Sequence, residues 1–139
     1  MSWADTLAVK ARAETLTALA SKTFVTVTSP VGTTIATPYL LIHPTDGIPE
    51  ATRFTGPPIT EHPAFTLHIV GKSAEQVQTI YDLLKVVFVT SGFMVPPTIS
   101  GRRNWGGYWR SPIPIQTDND VTPALIYQVV ELGWDSDPS

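Results

Sequence analysis

The ten residues Gly101 to Arg110, GRRNWGGYWR, hold Arg102, Arg103, Arg110, Trp105, Tyr108 and Trp109, in a chain with 9 Lys and Arg, 4 Trp, 4 Tyr and a net charge of -3. Two chemistries suit such a cluster. On nucleic acid, the arginines would neutralise phosphates and the rings would serve as stacking platforms. On protein, planar guanidinium donors and large stiff rings would form the centre of an interface. Three arginines in an acidic chain release few counterions, which favours protein. A plainer reading also competes, with Trp105 or Trp109 turned partly into the core and the arginines solvated.

The stretch after Arg110 carries Asp118, Asp120, Glu131, Asp135 and Asp137 and no Lys or Arg. A basic segment followed by an acidic one can be an accident of a short chain. It can also mark a head-to-tail contact, in which one copy's basic loop meets its neighbour's acidic tail, as a ring-forming heterologous interface requires.

Catalytic patterns are missing. Gly101 and Gly106 have the spacing that opens a phosphate-binding loop, yet Gly107 stands where its lysine belongs and Tyr108 where its magnesium-binding hydroxyl belongs. No G-x-G-x-x-G follows a strand, and neither Ser91 nor Ser100 lies in G-x-S-x-G. His43, His62 and His68 could in principle join Asp46, Glu50 or Glu61 around zinc or iron. Their spacing speaks against it, because no H-x-x-x-H or H-x-x-E-H pair is present. Exposed or hydrogen-bonded histidines are the expectation, with no cofactor and no metal.

Composition sets the frame for these side chains. A chain of 139 residues with 42% hydrophobic content fits one domain that buries roughly two thirds of its unfolded surface. With no cysteine, disulfides, thiolate metal sites and cysteine nucleophiles are excluded. No apolar run approaches the ~18 residues of a membrane span, so the expected setting is cytosol, with no membrane partner.

Ser2 and Asp5 have capping-box spacing, and Val9, Ala13, Leu16 and Ala20 recur at helical intervals, which predicts a helix over 3–20 lying outside a sheet. Phe24 to Thr28 and Tyr39 to His43 read as strands, the second bounded by Pro38 and Pro44. Residues 44–63, with five prolines and two glycines, read as an exposed loop of functional length. Phe65, Leu67 and Ile69 alternate with Thr66 and His68 in a third strand ending at Gly71. Ser73 and Gln76 repeat the capping spacing before Val77, Ile80, Leu84 and Val87, predicting a second helix over 74–89 whose β-branched end frays or turns extended. Thr98 to Arg102 and Ser111 to Gln116 read as short extended pieces, and Leu125 to Trp134 as the last strand, with a short tail at 135–139. The fold class is α+β: a single domain, 1–139, with a mainly antiparallel sheet, two helices packed on it and a long proline-rich loop.

Four segments, YLLIHP at 39–44, FTLHIVGKSAEQVQTIYDLLK at 65–85, GRR at 101–103 and DVTPALIYQVVELGW at 120–134, follow one another in a pattern that resembles the tail terminator proteins of long-tailed bacteriophages, particularly actinobacterial ones. The resemblance implies a structural, non-enzymatic virion protein of the tail-neck junction, assembled in the host cytoplasm. It implies a homohexameric ring that sits on the last ring of tail tube protein, stops tube growth and offers a joining surface to the head connector. DNA would cross the lumen without sequence-specific binding, which suits an acidic subunit. Two regions are the implied contacts: the cluster Arg102, Arg103, Trp105, Tyr108, Trp109 and Arg110 with Asp118 and Asp120, and the long loop with Arg53 and Phe54. Two alternatives stand beside this reading: a head-completion or stopper protein of the neck, and a small metal- or ligand-binding enzyme built on the three histidines.

Overall fold

The computed structural model describes residues 3–25, 37–46, 60–118 and 125–138. Helix α1 spans Trp3–Ala13, strand β1 Thr23–Val25, β2 Tyr39–Asp46 and β3 Pro63–Gly71, followed by helix α2 at Ala74–Phe88. Then come β4 at Val89–Thr90, β5 at Phe93–Met94, β6 at Arg102–Arg110, β7 at Gln116–Asp118 and β8 at Leu125–Pro138. The architecture is α+β. The main sheet runs β1-β2-β3-β8-β6, with β7 also paired to β8. Every pairing in it is antiparallel except the short parallel match of β1 to β2. Among the described residues, no helix is long and apolar enough to cross a membrane.

Alternation decides which face of the sheet is covered. Leu40 and Ile42 of β2, Phe65, Leu67 and Ile69 of β3, and Val130, Leu132 and Trp134 of β8 all point to one side and are buried. Val9 and Ala13 of α1, Leu19, and Val77, Ile80, Leu84 and Phe88 of α2 complete that core. Trp134 stacks on Phe65 with ring centroids 5.5 Å apart. Burying each large side chain of this layer contributes about 1.5–3 kcal/mol, and both helices lie on the same face of the sheet. The opposite face carries no helix among the described residues.

Helix α2 forms as its sequence predicts. Ser73 Oγ accepts from the Gln76 backbone N–H at 3.1 Å, while Gln76 Oε1 accepts from the Lys72 N–H at 2.9 Å, one residue earlier than in a standard capping box. The β-branched end does turn extended: the helix stops at Phe88 and runs straight into the β4–β5 hairpin. Ser91 and Gly92 make its two-residue turn with φ of 53° and 86°, the left-handed pair that a type I′ hairpin needs. The inward seam ends on Phe88, whereas Val87 is only half-buried.

Several boundaries differ from expectation. Helix α1 ends at Ala13, not residue 20. The Thr15 N–H bonds the Arg12 carbonyl and the Leu16 N–H bonds the Ala13 carbonyl, at 3.3 and 3.2 Å, so the spiral tightens to three-residue steps. The Thr15 hydroxyl also donates to the Arg12 carbonyl at 2.6 Å. A separate 3₁₀ turn at Thr17–Leu19 then buries Leu19 and leaves Ala20 exposed. The N-terminal Ser2 of the expected capping box lies outside the described residues. So do residues 26–28 of the first predicted strand.

Pro44 does not end β2, which continues to Asp46. Strand β1 covers only Leu40 to Ile42, so Pro44 sits where β2 has no strand on its outer side among the described residues, and its missing N–H is tolerated there. The predicted loop 44–63 is therefore strand at both ends, and 47–59, with Glu50, Arg53 and Phe54, lies outside the described residues. Of the two extended pieces predicted late in the chain, the first overlaps a strand only at Arg102, which opens β6, and the second only at Gln116, which opens β7. Residues 135–138 are not a tail: β8 runs through to Pro138.

Candidate interface on the open face of the sheet

The basic cluster is a strand rather than a loop. Arg102–Arg110 pairs antiparallel with the end of β8, with Arg103 opposite Asp137, Trp105 opposite Asp135 and Arg110 opposite Glu131. Between Trp105 and Tyr108 the register shifts by one extra residue, and Gly106 takes φ 67°, the geometry of a glycine bulge. The bulge resets the alternation, so Arg103, Trp105, Tyr108 and Arg110 all face the open side. It also brings Gly107 against the hairpin, where a Cβ would lie 2.1 Å from the Met94 carbonyl oxygen. Only glycine fits there.

Every arginine of the cluster finds an acceptor on its own chain. Arg110 grips Glu131 through Nε at 2.7 Å and Nη2 at 2.6 Å, with its guanidinium 5.7 Å from the Tyr108 ring centre. Arg103 reaches Asp137 at 3.4 Å. The same carboxylate accepts from the Trp105 indole N–H and from the Thr60 hydroxyl, each at 2.7 Å. The Thr60 and Trp105 hydrogen bonds, with the charge of Arg103, hold the Asp137 carboxyl below its ordinary range despite partial desolvation. Arg102 points to the core side and donates to Ser136 Oγ at 2.9 Å and to its carbonyl at 2.8 Å, with Glu61 3.5 Å away.

The segment Thr60 to His62 closes the other edge of the same β8 extension. Glu61 and Ser136 exchange backbone hydrogen bonds of 2.8 and 2.9 Å, and His62 Nδ1 lies 2.5 Å from Asp135 Oδ1. Within one chain the basic strand and the acidic strand are already neighbours in the sheet. Trp109 also faces inward, stacked on Phe88 at 5.4 Å and donating to the Tyr81 hydroxyl at 3.3 Å. Trp105 and Tyr108 remain exposed. Asp120 lies outside the described residues.

The other half of the open face has a different chemistry. Strand alternation places Tyr39, Leu41 and His43 of β2 beside Thr66, His68 and Val70 of β3, and these beside Tyr127 and Val129 of β8. The His43 and His68 rings lie 4.4 Å apart, and His68 is 5.9 Å from Tyr127. Burial lowers the pKa of both imidazoles below the ordinary 6.5, and for His68 the neighbouring His43 lowers it further. Both are therefore neutral at pH 7.

Toward β7 this surface deepens into a groove of about 630 Å³, lined by Tyr39, Leu41, His68, Val70, Thr117, Asp118, Leu125 and Tyr127. Burial and the nearby Asp118 charge raise the Tyr39 phenol above its ordinary range. Asp118, a candidate from the sequence, lies here and not in the arginine cluster.

The three histidines do not converge. His62 sits six residues from His68 along nearly extended chain, roughly 20 Å away, and is engaged with Asp135. Among the described residues, no three His, Asp or Glu side chains gather as a metal site would require. Sequence reasoning missed the groove, although its signal was present: His68 alternates out of phase with Phe65, Leu67 and Ile69, and Leu41 and His43 alternate out of phase with Leu40 and Ile42.

No family model and no curated protein matches the chain. Among solved structures, one whose name states no function covers 100% of this chain and 98% of its own, at 17% identity and a TM-score of 0.59. A likeness at that identity speaks for the fold alone.

Proposed function

We propose that this protein is a structural virion component that forms a ring on the end of a phage tail tube, terminates its growth and presents the joining surface for the head connector. The observation that carries the reading is where the resembling segments fall. The stretches at 39–44, 65–85 and 120–134 supply β2, β3 with α2, and most of β8, the consecutive central strands of the sheet and the helix that covers them. GRR at 101–103 opens the strand that flanks β8. The segments that look like the terminator family are thus the ones that build the scaffold.

The electrostatics support the same role. A ring around DNA must let it slide, and attraction to phosphates scales with available cations. Here Arg103 and Arg110 are each paired with a carboxylate of their own chain, which lowers the positive potential offered to a passing duplex. The ring's other contacts, with tube and connector, would be protein to protein.

The decisive test is deletion of the gene from the producing phage followed by electron microscopy of the lysate. Overlong tails free of filled heads are expected. Tails of normal length beside leaking heads would instead assign the protein to the stopper position and overturn termination.

A further inference from the structure

We draw no further inference here: the strongest candidate, the groove on the open sheet face between Tyr39, Leu41, His68, Val70, Leu125 and Tyr127, carries nothing because nothing in the structure shows what covers it.

Discussion

The two halves of the open sheet face solve their surface chemistry in opposite ways. Along β6 and the end of β8, acids and bases alternate across the strands and meet: Arg110 with Glu131, Arg103 and Trp105 with Asp137, His62 with Asp135. Along β2, β3 and the start of β8, rings and aliphatic side chains line a groove, with His68 in its lining and His43 beside His68, both held neutral. The half richest in conventional interface residues pairs its charges within the chain while its rings at Trp105 and Tyr108 stay exposed. The half that looks bland in composition carries the apolar groove. Arg and Trp mark capacity for contact, and topology decides whether a neighbour in the same chain uses it first.

That contrast can be broken at several points, taken here from the largest effect down. Trp134 lies beneath the charged half, 1% exposed and stacked on Phe65, so Trp134→Ala should cost about 3–5 kcal/mol in chemical denaturation. Loss of less than about 1 kcal/mol would show that the charged half stands without its core. Gly107→Val forces a side chain into the Met94 carbonyl and should cost about 1–3 kcal/mol, as overpacking does. Its signature should be greater access of a fluorescence quencher to Trp109, which faces inward against Phe88.

Titration should separate the halves. A histidine whose folded pKa is lowered binds its proton better when unfolded, so His43 and His68 contribute stability that is complete above about pH 6.5 and declines as pH falls below it. Asp137, lowered from 3.8, contributes stability that persists to much lower pH and is lost only as pH falls through its folded value. Melting temperature should therefore drop between pH 7 and 5, and His68→Gln should flatten that part of the curve while leaving the acid limb below pH 4 unchanged. A flat wild-type profile from 7 to 5 would contradict the half-buried, neutral pair. The smallest effect belongs to Arg103→Ala: its side chain is 73% exposed and its ion pair long, so solvent screening leaves about 0–1 kcal/mol. A larger loss would mean that the charged half is a cooperative network and not a set of separate pairs.

The sequence made the regular parts legible and hid the irregular ones, for physical reasons. Helix α2 and the alternating core residues of β3 read correctly because cap, period and burial agree. Strand β6 read as a loop because Gly106 and Gly107 break its alternation in the middle, and a two-residue period does not survive a bulge. The last four residues of β8 read as a tail because Asp135, Ser136 and Asp137 lack β propensity; partners from Thr60 to His62 on one side and β6 on the other hold them in the sheet. The early end of α1 turned on Thr15 and Leu16 adopting three-residue hydrogen bonds, which apolar spacing does not report. For the site, the cluster's residue types were visible, and its pairing within the chain was not, because that requires the register of β6 on β8.

Strand β8 has a further consequence, in the order of events at the ribosome. It is the last described strand to be made, yet it lies between β3 and β6 and touches β7 and Glu61 as well. Until it emerges, β3 presents a bare edge of Val, Ile, Leu and Phe, and neither β6 nor β7 has, among the described residues, a strand to pair with in the main sheet. A nascent chain stalled before residue 125 is thus an adhesive intermediate with two unpaired strands. Synthesis of the fourteen residues of β8 supplies the missing partner of all three strands.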